Sequence, residues 1–267
     1  MIQREQVEAV TKFRLARSIG NRAAYWTAAY FVDGLLVDTG CHFTARALAH
    51  TLQDQQVRTI VNTHHHEDHI GANAEISREH RASIFAHPLA LPILREPARL
   101  QLQLYRRVFW GWPLPSNGRE IPSEISTEHY RFQALHTPGH SPDHIVLYEP
   151  NEGWAFTGDL FIGGKDRAFR PDYDISDILS SLRRLASLNI SWLFPGSGSV
   201  RQNPQAEIAG KIAYLEGLQT CIRELSERGL DQRQIARRLF GREGSMYYMT
   251  GGHFSTVNLV SVFLRGT

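Results

Sequence analysis

Short apolar runs alternate along this chain with longer segments in which apolar residues recur at helical spacing. The short runs are rich in β-branched and aromatic residues, which favour strands, and turn residues such as Asp33–Gly34 follow them. Strands are predicted at residues 25–32, 35–37, 57–61, 83–86, 130–135, 145–148, 154–159 and 191–194. Helices are predicted at residues 45–53, 71–78 and 177–186. This strand–helix–strand alternation predicts an α/β layered fold.

Helical spacing dominates the last quarter of the chain. Apolar residues such as Ile208, Leu215 and Ile222 follow it, and a second helix is predicted after Asp231, which is suited to an N-cap. A last helix is predicted from about Ser255 to Leu264. We therefore expect two domains: a catalytic domain of residues 1–200, and a helical extension of residues 201–267 packed on it.

Residues 92–122 interrupt the strand–helix pattern with five prolines and several aromatic side chains, Trp110 among them. Between Pro97 and Pro113 the apolar positions predict an amphipathic helix. Such a helix packs on the core, contacts a second subunit in a homodimer, or forms a lid or apolar substrate wall over a site. In the last case Trp110 is a candidate substrate-binding residue.

Composition and charge narrow the class of protein. With 267 residues the chain can bury a sizeable core, and its formal net charge of +2 does not favour nucleic acid or an anionic membrane. No run approaches the roughly 18 apolar residues of a membrane helix, and no apolar signal sequence follows Met1. The two cysteines imply no disulfide framework. We expect a cytoplasmic protein that acts on a small molecule.

The chemistry concentrates in the stretch Thr63–Gly71, where four imidazoles and two carboxylates fall within six residues. The predicted strand at 57–61 leads into it, so rigid backbone supports ligands on a loop. In extended backbone His64 and His66 share a face and can hold one ion, while Asp68 and His69 can turn toward a second. Imidazole and carboxylate are ligands for zinc, iron and manganese.

The spacing His64-x-His66-x-Asp68-His69 resembles the signature of the metallo-β-lactamase superfamily. Two further pieces match in order: His140 in the turn Thr137–Pro138–Gly139–His140, and Asp159 at a strand end. The resemblance implies a four-layer αββα sandwich, with His140 as the third imidazole on the first metal and Asp159 bridging two ions. It also implies that an Asp at the position of Asp38 lies near the site, where we expect it to hydrogen-bond loop backbone.

One position departs from the family pattern. Many relatives have a histidine where Ser197 stands, and that histidine completes the second metal site. A neutral serine hydroxyl is a poor zinc ligand, so this site would have only Asp68, His69 and Asp159. His253, which follows Gly251–Gly252, is the candidate replacement.

The resemblance predicts a metallo-hydrolase with one or two ions, two zinc ions being favoured over iron or manganese. Asp68 is the expected catalytic residue, orienting water and carrying a proton to the leaving group. A thioester or lactone is the favoured bond, and Lys165 and Arg167 are candidate contacts for an anionic substrate. The alternatives are an iron-dependent oxidoreductase of the persulfide dioxygenase kind and a degenerate metal-binding protein without turnover.

Overall fold

Two large β-sheets and a helical unit make up the structure, a computed structural model that describes residues 1–266. The chain divides into two units. The first comprises Met1–His136, Pro142–Ile162 and Asn189–Asn203. The second comprises Thr137–Ser141, Gly163–Leu188 and residues 204–266.

The first unit contains the strands of both large sheets and four short helices. The seven-stranded sheet has the order β1-β2-β5-β6-β7-β8-β9, with β1 (Ile2–Val7), β2 (Val10–Leu15), β5 (Thr27–Val32), β6 (Leu35–Val37), β7 (Thr59–Val61), β8 (Ser83–Ala86) and β9 (Gly118–Glu120). The six-stranded sheet runs β10 to β15 in order, with β10 (Glu124–Ser126), β11 (Arg131–His136), β12 (Ile145–Glu149), β13 (Trp154–Gly158), β14 (Trp192–Pro195) and β15 (Arg201–Gln202). A small hairpin pairs β3 (Ser18–Ile19) with β4 (Arg22–Ala23). The helices are α1 (Ala45–Thr51), α2 (Asn73–His80), α3 (Leu91–Arg95) and α4 (Leu104–Phe109).

Both sheets are mixed, and their apolar faces meet. Strands β6 to β9 are parallel to one another, as are β13 and β14, while the other pairs are antiparallel. Alternation along β7 divides the core: Val61 packs between the two sheets, and Ile60 packs on the opposite face with α1 and α2. The parallel strands therefore end at the same edge of the sheet, and the histidine-rich loop begins where the buried strand β7 ends.

The second unit is helical, with α5 (Ile175–Ala186), α6 (Gln205–Glu227), α7 (Gln232–Phe240), α8 (Ser245–Met249) and α9 (Thr256–Arg265). Asp231 caps α7 through a capping box, as the sequence predicts, and Ser255 caps α9. No helix within residues 1–266 combines the length and apolar character needed to cross a bilayer.

The predicted α/β class, with mixed sheets and C-terminal helices, is confirmed. The predicted division at residue 200 stays a prediction. The amphipathic helix predicted between Pro97 and Pro113 is wrong in length and orientation. A 3₁₀ turn occupies Pro97–Arg99, α4 has only six residues, and Leu104 on it is 76% exposed while Arg106 is buried.

Candidate metal centre

The loop after β7 buries its polar side chains almost completely. His64, His66, Asp68 and His69 are each less than 9% exposed. The backbone turns where the amide of His69 donates to the carbonyl of His66 at 2.9 Å. Burying so many polar groups is unfavourable unless each has a partner, so the contacts of each side chain indicate what the site binds.

His64 and His66 lie together, as their spacing predicts, with Nε2 of His64 2.8 Å from Nδ1 of His66. Thr63 fixes the tautomer of His64. Its hydroxyl donates to Asp38 Oδ2 at 2.8 Å, so it accepts from Nδ1 of His64 at 3.0 Å. Nδ1 then carries the proton, and Nε2 presents a lone pair suited to a metal ion.

Asp38 fixes the tautomer of His69 in the same way. The carboxylate accepts from Nδ1 of His69 at 2.7 Å and from the backbone amide of Thr63 at 2.7 Å. The expectation that Asp38 hydrogen-bonds loop backbone is therefore confirmed. Nδ1 of His69 donates its proton to Asp38, which leaves Nε2 unprotonated in the neutral ring.

Nε2 of His69 is buried and has no hydrogen-bond partner within residues 1–266. It faces two carboxylate oxygens, Oδ2 of Asp68 at 3.7 Å and Oδ1 of Asp159 at 3.5 Å. Nε2 facing two anions requires a cation between them, either a proton on the imidazole or a divalent metal, for which nitrogen and carboxylate oxygen are ligands. Ligand atoms of His64, His69 and Asp159 all lie within 4.8 Å of one another. The residues fit a divalent metal ion.

The electrostatics agree with a cation site. Burial raises the pKa of Asp68 to about 7, although the neighbouring His69 opposes that rise. Burial lowers the pKa of His69, but the surrounding carboxylates of Asp38, Asp159 and Asp68 outweigh it and raise that pKa well above its ordinary value. Negative charge therefore accumulates around one imidazole, where a bound cation would be stabilised.

Asp159 follows β13 and is held by two contacts that sequence patterns did not identify. Its backbone amide donates to Nε2 of His144 at 3.2 Å. Burial lowers the pKa of His144 to about 4, so this imidazole is neutral and accepts the bond. Gly196 lies against the carboxylate, and a Cβ there would fall 2.3 Å from Oδ1 of Asp159. In the sequence, the Pro195–Gly196 pair at the end of β14 is the feature that could have indicated this close approach.

Glu67 is a further residue whose role the sequence did not reveal. Its carboxylate, adjacent to Asp68 in the chain, is fully buried and forms an ion pair with Arg106 of α4. Trp110 lies just after α4 in the same unit, its carbonyl accepting from the amide of His42 at 3.1 Å. Its predicted contact with substrate stays a prediction.

The remaining candidates belong to the second unit. His140 is buried, with its ring 4.9 Å from that of Tyr173, and His253 is half-buried beside Phe254. Their predicted roles as ligands stay predictions. Nζ of Lys165 lies 5.5 Å over the ring of Tyr214, and Arg167 donates to the carbonyl of Phe240 at 2.8 Å.

Comparison with known proteins assigns the chain to a family. The profile described as "Metallo-beta-lactamase superfamily" matches residues 27–197, which is more than half of the chain. "Hydroxyacylglutathione hydrolase GloC" of Haemophilus influenzae is 32% identical over 139 residues, 51% of this chain and 66% of that protein. The chain spans 57 to 66% of the length of the first three curated relatives it matches.

Solved structures agree with the profile. The metallo-beta-lactamase family protein TTHA1429 of Thermus thermophilus superposes with a TM-score of 0.66 at 21% identity, covering 96% of this chain and 94% of that one. TTHA1623, solved in a di-iron-bound form, gives a TM-score of 0.55 at 29% identity, covering 72% of this chain and 96% of that one. With its buried histidine–carboxylate cluster at a strand end, the chain belongs to the metallo-beta-lactamase superfamily.

Proposed function

We propose that this protein is a metal-dependent hydrolase that uses two zinc ions to cleave an ester-like bond in a small substrate. A thioester is the favoured bond, and a lactone is the second choice. One observation carries the proposal. Nε2 of His69 is buried without a hydrogen-bond partner among the described residues and faces the carboxylates of Asp68 and Asp159. A merely structural histidine would have both ring nitrogens hydrogen-bonded.

The residues divide between two ions. His64 and His66 would hold the first, with His140 as the third imidazole that the family motif supplies. Asp68, His69 and Asp159 would hold the second, with His253 as the proposed replacement for the histidine missing at Ser197. When bound, the metal supplies a Lewis acid that polarises the scissile carbonyl and makes water acidic near neutral pH.

The chain's own residues orient and move the proton. Asp68 accepts the proton of the attacking water and returns it to the leaving group, the role of a carboxylate general base and acid beside the reacting atoms. Asp38 holds His69 in the tautomer that presents Nε2. His144, neutral through burial, holds the backbone of Asp159 and therefore its carboxylate.

The thioester is favoured over other ester-like bonds because of the relatives. Two of them are named as hydroxyacylglutathione hydrolases, and a third is named as an atrochrysone carboxyl ACP thioesterase. These names support cleavage of a bond between an acyl group and sulfur. The proposed substrate is therefore a small acyl thioester. We further propose that the protein is cytoplasmic and has no nucleic-acid partner.

A second candidate is an iron-dependent oxidoreductase. The similar structure TTHA1623 was solved in a di-iron-bound form, and it is 29% identical to this chain. The same imidazole and carboxylate donors bind iron. Iron in the purified protein together with oxygen consumption would favour this candidate over the hydrolase.

The test is a panel of acyl thioesters and lactones assayed with wild type and with Asp68→Asn. We expect thioester cleavage by wild type and a loss of about 10²- to 10⁴-fold in kcat in the variant, the range of a lost acid–base group. Asp54→Asn is the matched control because Asp54 is exposed and lies outside the motif. No cleavage of any panel member by the zinc-loaded protein would overturn the proposal.

A further inference from the structure

A buried ion pair joins the histidine-rich loop to helix α4. Arg106 donates through Nε to Oε1 of Glu67 at 2.7 Å, and its terminal nitrogen Nη2 donates to Oε2. The Glu67 side chain is fully buried and that of Arg106 is 8% exposed. The contact is bidentate, so it fixes direction as well as distance. It spans 39 positions of sequence.

The carboxylate end of this pair lies in the middle of the ligand loop. Glu67 separates His66 from Asp68, and the amide of His69 in the same turn donates to the carbonyl of His66. The ion pair of Glu67 therefore restrains the chain directly beside Asp68. An error of about 1 Å in such a group can cost two orders of magnitude in rate.

The guanidinium end lies on a short helix that is partly exposed. Helix α4 has six residues, and Leu104 and Val108 on it are 76% and 38% exposed. It carries an aromatic cluster: Trp110 makes edge contacts with Tyr25, Tyr105 and Phe109 at ring-centroid distances of 5.5 to 6.1 Å. Nε1 of Trp110 is buried and has no hydrogen-bond partner among residues 1–266.

The cluster and the ligand loop also adjoin through backbone. The carbonyl of Trp110 accepts from His42, and a Cβ on Gly71 would overlap the backbone of Cys41 and His42. Helix α4 and the end of the ligand loop therefore lie against the same short segment. Arg106 is the charged side chain through which the helix contacts the loop directly.

We propose that Arg106 is a positioning residue of the hydrolytic site. Its bidentate ion pair with Glu67 fixes the position of Asp68 relative to the aromatic cluster around Trp110. This inference rests on the proposed hydrolysis for its kinetic part. The substrate class it implies is a thioester with an apolar or aromatic acyl group, which would pack on the cluster while its carbonyl lies beside Asp68.

The test must separate positioning from stability, because removing one partner of a buried pair leaves the other as an unpaired buried charge. Three variants do so. Arg106→Met breaks the pair, Glu67→Met/Arg106→Met removes both charges, and Arg99→Met breaks the exposed pair of Arg99 with Glu96 in the same segment as a control. The double variant is expected to recover the melting temperature that Arg106→Met loses.

Positioning predicts that kcat for an aromatic acyl thioester falls at least tenfold in both Arg106 variants, at unchanged zinc content. KM for a short acetyl thioester should change less than threefold, and Arg99→Met should match wild type. If kcat recovers together with melting temperature in the double variant, the pair only supports folding and the proposal is overturned.

Hydrogen exchange supplies a readout that needs no turnover. We expect faster exchange of the amides of His69, Ile70 and Gly71 in metal-free Arg106→Met and in the double variant, since their bonds belong to the ligand loop. Unchanged exchange in both would overturn the proposal. Absence of thioester cleavage by wild type would instead count against the proposed function, and exchange would still decide the role of Arg106.

Discussion

Asp38 combines backbone strain with a central place in the hydrogen bonding of the site. Its φ of 57° lies in the left-handed region, which is unfavourable for a residue with a Cβ. Both carboxylate oxygens accept bonds, from the Thr63 amide, from the Thr63 hydroxyl and from His69. The motif alone placed an aspartate near this point, but three simultaneous bonds depend on the loop folding back over 25 to 31 residues.

Asp38→Asn should weaken metal binding at His69. The amide oxygen of asparagine can still accept from the Thr63 amide, but its NH₂ group then faces Nδ1 of His69 and favours the opposite tautomer, with a proton on Nε2. We expect metal affinity to fall by about 10- to 100-fold, measured by competition with a chromogenic chelator. Asp54→Asn should bind like wild type. Equal affinities for the two variants would show that the tautomer is not fixed by Asp38.

Gly196 allows close approach of backbone to the carboxylate of Asp159. A Cβ at this position would lie 2.3 Å from Oδ1 of Asp159 and 2.8 Å from Cε1 of His69. Gly196→Ala should therefore displace Asp159 and lower kcat by about 100-fold with normal circular dichroism.

Gly210→Ala is the control for that variant. A Cβ on Gly210 meets nothing within 4 Å, and the residue lies inside α6. This change should leave kcat unaltered and stabilise the protein by up to about 1 kcal/mol. If Gly196→Ala keeps the kcat of wild type, Asp159 and His69 accommodate the added Cβ without loss of activity.

Among the elements, the strands around the site were predicted, whereas β1, β2, β9 and β10 were not. The runs at 35–37 and 83–86 match β6 and β8 residue for residue, because buried strands in a mixed sheet are apolar throughout and end at turn residues. Helix α4 could not be predicted in the same way. Its buried face carries Arg106, whose partner is 39 positions away, so the apolar pattern pointed to the wrong face.

Within the second unit, the segment of residues 164–167 is anchored to helix α6. Lys211 donates to the carbonyl of Gly164 and pairs with Asp166, and the hydroxyl of Tyr214 donates to the Asp166 carbonyl at 2.6 Å. Burial raises the pKa of Asp166, which Lys211 opposes. Lys165 and Arg167, the two cations predicted to contact substrate, therefore lie on backbone that α6 holds in place.

Lys165 and Arg167 should differ in their effects. The cation–π contact of Lys165 uses none of its N–H donors, whereas Arg167 donates to the last carbonyl of α7. We expect Lys165→Ala to raise KM for an anionic thioester about tenfold, the value of one charge-assisted bond, at constant kcat. Arg167→Ala should lower the melting temperature by a few degrees and leave KM unchanged. A KM effect confined to Arg167→Ala would reverse this assignment.

For the whole molecule, the family and the residues of the ligand loop followed from the sequence, because they lie within six consecutive positions after one strand. Most of the groups that orient them did not. The family resemblance indicated Asp38, but His144, Gly196 and Arg106 come from other strands, loops and helix α4, and only the folded chain brings them to the ends of β7 and β13. Such contacts have no local sequence signature.

Metal binding should stabilise the folded chain, because the ligands converge only when the sheets have formed. At free zinc of about 1,000 times Kd the gain is about 4 kcal/mol. Chelation should then lower the melting temperature by about 8–16 °C for a chain of this size. Differential scanning fluorimetry with and without chelator measures the shift, and refilling with zinc should reverse it. An unchanged melting temperature would indicate that the site does not bind metal in the folded state.

The most direct measurement is thioester cleavage by the same protein preparation before chelation, after chelation and after stepwise return of zinc, with zinc counted by mass spectrometry. Metal-dependent hydrolysis predicts that activity disappears on chelation and returns in proportion to zinc, reaching a plateau at two equivalents. Asp68→Asn should keep the first zinc, which the imidazoles hold, and stay inactive. Cleavage that persists in the metal-free protein, or zinc binding without any cleavage by wild type, would contradict the account.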